Sequence, residues 1–158
     1  MKPISTPLGH LNFMTTGTLT LQDFLPYRLS ALSNRISQSL ASQYSAQFGL
    51  SVQEWRILAV LGEANTLSAV AITNRIAMDK VAVSRAVKKL IEKGLIQKCM
   101  DESDNRRFEL ALTATGRETY NKLTPIALAH EQRVVAKLNE SEQQLLFDLL
   151  NKLDTTAL

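Results

Sequence analysis

The sequence predicts a mainly α-helical chain of the α+β class with one small β-hairpin: a winged helix-turn-helix lobe joined to a helical layer built from both ends of the chain. Three observations predict it. Apolar residues recur at helical spacing over long stretches on either side of residues 66–113. Within that span a short helical pattern and a longer one are joined by the turn Met78-Asp79, the order of a helix-turn-helix. Two strand-like runs follow, 95–100 and 108–113, separated by the polar loop 101–107 that closes a hairpin.

Taken in order, residues 1–20 hold Pro3, Pro7, Gly9 and Gly17 without any period, and read as an N-terminal arm. From Leu21 a long helix is expected, with Leu25, Leu29, Leu32, Ile36, Leu40, Tyr44 and Phe48 on its stripe and Gly49 at its end. Asp23 and Pro26 suit its first turn, where a carboxylate is favoured and a missing amide is harmless. Ser51-Val52-Gln53-Glu54 has the form of a capping box opening the next helix, with Trp55, Leu58, Ala59 and Leu61 as its buried face. Residues 68–77, with Val70, Ile72 and Ile76, form the shorter helix of the central pair.

The helix after it is the one around which the chain is organised. Asp79 can cap its first turn, and Gly94 suits the left-handed position beyond its last turn. Val83, Val87, Leu90 and Ile91 form the expected core stripe. Val81, Ser84, Arg85 and Lys88 lie opposite, flanked by Lys80 and Lys89, a small, basic face of the kind a major groove accepts. After the hairpin, 114–138 is helical with Tyr120, Leu123, Ala127, Val134, Val135 and Leu138 on one side and Pro125 inside. Asn139 and Glu142 make a second capping box before a helix carrying Leu145, Leu146, Leu149, Leu150 and Leu153. Residues 51–113 thus form the winged lobe, and 21–50 with 114–158 a helical region with more apolar surface than that lobe can cover. An obligate homodimer accounts for the excess, and an up-and-down bundle within one chain is the competing account.

Charge is distributed unevenly. Residues 74–107 hold nine basic residues (Arg75, Lys80, Arg85, Lys88, Lys89, Lys93, Lys98, Arg106, Arg107) against five acidic ones (Asp79, Glu92, Asp101, Glu102, Asp104), a net +4. The whole chain nets +3, so the excess lies entirely in this span, as phosphate binding requires.

The run Met78-Asp79-Lys80 through Ser84-Arg85-Ala86-Val87, with Leu90 and Gly94-Leu95-Ile96, resembles the DNA-binding lobe of the MarR family, as do Asp104-Asn105-Arg106, Leu110, Leu112-Thr113 and Gly116. The phrase Phe48-Gly49-Leu50-Ser51 with Glu54-Trp55-Arg56 is similar too, and the likeness extends from about residue 25 to the C-terminus. It implies a transcriptional regulator, usually a repressor, that acts as a homodimer on a double-stranded operator and is released by a small molecule. It implies a wing with Arg106 at the tip for the minor groove, Asp104 as its orienting partner and Arg107 as a second candidate. With the helix positions, the DNA-binding candidates are Lys80, Ser84, Arg85, Lys88, Lys89, Asp104, Arg106 and Arg107. The resemblance also implies an effector pocket where the helical layer meets the lobe, often one accepting aromatic carboxylates. Tyr27, Arg28 and Trp55 are its candidates here, because an arginine fork fits a carboxylate and aromatic faces fit a ring. The alternatives are an interhelical Arg28 ion pair with Asp23, Glu54 or another acidic residue, and Trp55 in the core. A winged-helix protein-interaction module and a non-specific architectural DNA binder remain the other functional readings.

Other chemistry finds no support. No phosphate-binding glycine loop, nucleophile elbow or His-Glu metal motif occurs, so neither an enzyme, a metal nor a cofactor is expected. His10 and His130 read as exposed or core-edge residues. Cys99 reads as a small packed residue in the first wing strand. Peroxide-sensing members of the family carry their thiol near the start of the first long helix, where this chain has none. A single cysteine, no secretory signal and no run long enough to span a bilayer make the expected location cytoplasmic, with no membrane partner.

Overall fold

The computed structural model describes residues 19–100 and 108–156. These belong to two units, one ending at Asn34 and one starting at Arg35. The elements run α1 (Leu25–Phe48), α2 (Val52–Ala64), β1 (Thr66–Leu67), α3 (Ala69–Ile76), α4 (Lys80–Glu92), β2 (Ile96–Met100), β3 (Phe108–Leu112), α5 (Ala114–Val135) and α6 (Glu140–Thr156).

In the first unit a turn precedes α1, with the Asp23 and Phe24 amides both donating to the Thr20 carbonyl. Asp23 therefore lies in that turn rather than in the first turn of the helix, which carries no acidic residue. Leu25, Leu29 and Leu32 on this stretch of α1 are exposed. In the second unit α1 changes character: Ile36, Leu40 and Phe48 are half-buried and Tyr44 is buried. Gly49, at φ +62°, ends the helix in the left-handed region that favours glycine.

The core of the second unit gathers Tyr44, Leu50, Ile57, Leu58, Leu61, Ile72, Val83, Ala86, Leu90, Ile96, Leu110 and Leu123. Helix α2 opens on the expected box. Ser51 Oγ accepts from the Glu54 amide (3.2 Å), while Glu54 Oε2 accepts from the Ser51 amide (2.7 Å). Its inward face differs from expectation: Glu54, Ile57, Leu58 and Leu61 are buried, while Trp55 and Ala59 are only half-buried. The cause is spacing, since 54, 57, 58 and 61 form one continuous i, i+3, i+4, i+7 stripe.

The hairpin pairs Ile96 with Leu112 through Met100 with Phe108 in antiparallel register. A third strand, β1, adds Thr66 and Leu67 against Ala111 and Leu110, giving the order β1-β3-β2. Two residues are too few to show an alternating pattern, so this strand has no signature in the sequence. Behind the hairpin, α5 runs unbroken through Pro125 and stops at Val135, three residues short of the expected end. Gly116 allows its start to press on the turn after α4, because a Cβ there would lie 1.8 Å from the Leu95 carbonyl oxygen. His130 is buried rather than exposed or at the core edge, and its Nε2 lies 3.1 Å from Ser39 Oγ on α1.

Helix α6 begins with the second capping box, the Asn139 and Glu142 side chains each accepting the other's amide at 3.0 and 2.9 Å. Its Leu145, Leu146, Leu149, Leu150 and Leu153 are all exposed, between 38 and 56%.

Candidate nucleic-acid interface

Helix α4 is fixed at both ends. Asp79 Oδ1 accepts from the amides of Val81 (3.0 Å) and Ala82 (2.9 Å), satisfying the first turn. At the other end the Gly94 amide donates to the Ile91 carbonyl and the Leu95 amide to the Leu90 carbonyl, both at 2.9 Å, with Gly94 at φ +69°. This pair of bonds is a Schellman motif, and only a residue that tolerates the left-handed region closes it without strain. Thr113 then donates its hydroxyl to the Gly94 carbonyl at 2.7 Å, tying the end of the hairpin to the end of α4.

The packed stripe of α4 is Val83, Ala86 and Leu90. Relative to expectation it is rotated: Val87 is half-buried and Ile91 is 37% exposed, while the small Ala86 is buried beside Val83 and Leu90. The branched residue at 91 is left at the margin of the stripe. The rotation leaves Lys80, Val81, Ser84, Arg85, Lys88 and Lys89 all exposed on one side. Lys88 Nζ lies 3.9 Å from Glu92 Oε1, a solvated i, i+4 pair of little strength. Lys80 and Ser84 also line a groove of about 390 Å³ between α3 and α4, with Ala69, Val70, Thr73 and Asn74 opposite. Asp104, Arg106 and Arg107, the expected wing residues, lie outside the described residues.

One of the nine basic residues stands apart. Lys93 donates to Glu54 Oε1 at 2.6 Å and to the Gly49 carbonyl at 2.7 Å. Burial pushes the Glu54 carboxyl up, but hydrogen bonds from Lys93 and Ser51 and the Lys93 charge outweigh it and hold the group below its ordinary value. Glu54 is thus engaged by Lys93. Sequence reasoning counted Lys93 only among the basic residues whose excess suits phosphate binding. The available signal was its spacing, seven after Ala86 and three after Leu90, which puts it on the packed stripe.

The candidate ligand residues fall in both units. Tyr27 and Arg28 are exposed on the first part of α1. Trp55, in the second unit, stacks on Tyr120 (6.4 Å between ring centres, 22°) and meets Tyr44 at a tilt (6.2 Å). Arg117 lies over the Tyr120 ring and donates to the Gly62 carbonyl at 2.8 Å. Burial, with a smaller push from Glu54 and an opposing pull from Arg56, raises the Tyr44 phenol to about 12. Among the described residues no three His, Cys, Asp or Glu side chains converge as a metal site, and no helix is long and apolar enough to cross a membrane.

Comparison with known proteins agrees with this geometry. Residues 48–107 match the model of the MarR family. A MarR/EmrR family transcriptional regulator from Acinetobacter sp. ADP1 superimposes with a TM-score of 0.80 at 32% identity, covering 88% of this chain and 98% of that one. The HTH-type transcriptional regulator BilQ of Clostridium symbiosum is 35% identical over 78 residues, 49% of this chain and only 54% of that regulator's length. A mutant MarR from E. coli, complexed with operator DNA, shares the fold at a TM-score of 0.72 and 20% identity, over 86% of this chain and 99% of that one. These relatives are transcriptional regulators, not enzymes.

Proposed function

The chain belongs to the MarR family of transcriptional regulators, and from that premise we propose that it is a cytoplasmic, dimeric repressor that reads a pseudo-palindromic operator with two copies of α4. The observation that carries this reading is the open side of α4, where Lys80, Ser84, Arg85, Lys88 and Lys89 all stand exposed on a helix capped at both ends. A capped helix with one basic, small-residue face fits a B-DNA major groove. Ser84 and Arg85, in its N-terminal half, are the base-reading pair, and Lys80, Lys88 and Lys89 bind phosphates. Arg106 enters the minor groove from the wing, oriented by Asp104 and seconded by Arg107.

The second copy covers the exposed leucines of α6 and sets two half-sites about one helical turn, near 10 bp, apart. The releasing effector is a small aromatic carboxylate, with Arg28 and Tyr27 its candidates on α1 and Trp55 the candidate in the second unit. It acts only if it binds the two dimer shapes with different affinity.

A gel shift comparing the DNA upstream of the chain's own gene with random duplex tests the reading. Preference for the upstream duplex is expected, and Arg85→Ala should lose about 1–3 kcal/mol there. Equal binding of both duplexes would make the protein an architectural binder, and binding of neither would make it an interaction module.

A further inference from the structure

Three helix ends meet at the Lys93 ammonium. Gly49 closes α1 and offers its carbonyl at 2.7 Å; Glu54 opens α2 and offers Oε1 at 2.6 Å; Lys93 is itself the C-cap of α4. The Glu54 side chain is almost wholly buried, whereas that of Lys93 is 36% exposed, so the cation reaches inward from the rim. The other Glu54 oxygen already accepts the Ser51 amide.

We propose that Lys93 is a positioning residue for DNA recognition: it locks the C-terminal end of α4 to the α1–α2 corner and makes no phosphate contact. The proposal rests on the reading of α4 as the DNA-facing helix. To reach a phosphate, Lys93 would have to leave a buried carboxylate without its counter-charge, which is unfavourable. Lys88 has only a loose surface partner to give up. The stripe of Val83, Ala86 and Leu90 holds α4 against the core, but apolar contact has no direction and permits roll and slide. Charge-assisted hydrogen bonds to two fixed acceptors do have direction. Base readout tolerates misplacement of only about 0.5 Å, so it needs such a lock, whereas backbone-only binding does not. A displacement of the end of α1 at Gly49 is thereby passed to α4.

The test measures affinity across a salt series for two duplexes, the DNA upstream of the chain's own gene and a random duplex of equal length. Lys93→Met should weaken the upstream complex roughly three- to thirtyfold, the range seen for coupled positions outside a contact. Random-duplex affinity and the salt slope should stay as in wild type. Glu54→Gln should show the same split, and the double variant should be no weaker than the worse single one. Lys93→Arg keeps the charge and loses the compact ammonium, so it too should lose discrimination while random binding holds. That variant and Glu54→Gln carry the test if Lys93→Met does not fold by circular dichroism. A salt slope lower by about one, with both duplexes weakened alike, would make Lys93 a phosphate contact and overturn the proposal. Unchanged affinity for both would do the same.

Amide exchange provides a readout without DNA. The Lys93, Gly94 and Leu95 amides donate to Lys89, Ile91 and Leu90 carbonyls, and Lys93→Met should speed their exchange. If wild type binds neither duplex, the DNA reading fails on its own, and unaltered exchange would still refute the lock.

Discussion

Helices α4 and α6 are both amphipathic, yet they stand in opposite conditions. Helix α4 buries Val83, Ala86 and Leu90 against α2, is capped by Asp79 and closed by Gly94, and leaves its polar side open. Helix α6 begins on an equally good capping box but leaves all five of its stripe leucines in solvent. The core around α4 is closed with help from Tyr44 on α1 and Leu123 on α5, whereas the last helix carries an exposed apolar face. Capping decides where a helix starts, and it does not decide what the helix packs against. The difference ties stability to one helix and leaves the other free for the proposed assembly.

The largest expected effect tests the first half of that contrast. Leu90 is fully buried and Leu150 is not. Leu90→Ala should destabilise the lobe by about 2–5 kcal/mol, as large-to-small core changes do. Leu150→Ala should move the same urea-unfolding transition by less than about 0.5 kcal/mol at concentrations where the chain is monomeric. Similar losses at both sites would mean α6 belongs to the lobe's core after all.

The second prediction addresses assembly. Each buried leucine contributes about 1.5–3 kcal/mol, and a two-fold interface counts every change twice. Leu146→Glu with Leu150→Glu should therefore abolish dimers at micromolar concentration in sedimentation while leaving the circular dichroism of the lobe intact. A dimer that survives the pair would place the interface elsewhere.

Much of this contrast was legible from local residue patterns. Both capping boxes, the Asp79 cap, Gly49 and Gly94 are signals that span four residues or fewer, and the structure has each of them. The misjudged features depend on partners far along the chain. Lys93 meets Glu54 and Gly49 across 39 and 44 residues, and His130 meets Ser39 across 91. The stripe of α4 was misaligned for a related reason. Hydropathy favours Ile91 over Ala86, yet Ala86 is the buried one, because the face of a helix that turns inward is chosen by the packing of the whole core. The strand Thr66–Leu67 exists only because β3 lies beside it.

A third prediction uses acid to separate the lobe's lock from the rest of its core. Glu54 is held below its ordinary value in the folded chain, so the unfolded chain binds its proton first as pH falls. Its contribution is complete above the unfolded carboxylate range and is lost as pH falls through the lower, folded value. Lys93→Met removes the strongest of the opposing influences and leaves burial, so the stability gap between wild type and variant should be widest near pH 7 and narrow as pH falls through the carboxylate range. Because the Lys93 side chain is about a third exposed, the gap at pH 7 should be about 1–2 kcal/mol rather than the full cost of a broken buried pair. A gap that is constant with pH would mean the methionine acts through packing alone.

The smallest effect sharpens the comparison within α4 itself, between two lysines five residues apart. Lys88 and Lys93 carry the same charge on the same helix, and composition cannot distinguish them. Lys88 is exposed and sits 3.9 Å from Glu92, which is exposed as well. Such i, i+4 pairs contribute about 0.3–0.5 kcal/mol, so Lys88→Gln should leave thermal stability within that margin. Its effect should appear instead in the salt dependence of DNA binding. A phosphate contact releases close to one counterion, so the log-log slope should fall by about one on upstream and random duplex alike. Glu92→Gln should do the reverse in affinity, tightening both complexes slightly by freeing Lys88 from its partner. If Lys88→Gln leaves the slope unchanged and lowers affinity for the upstream duplex alone, Lys88 reads bases, and the phosphate row along α4 would have to begin at Lys89.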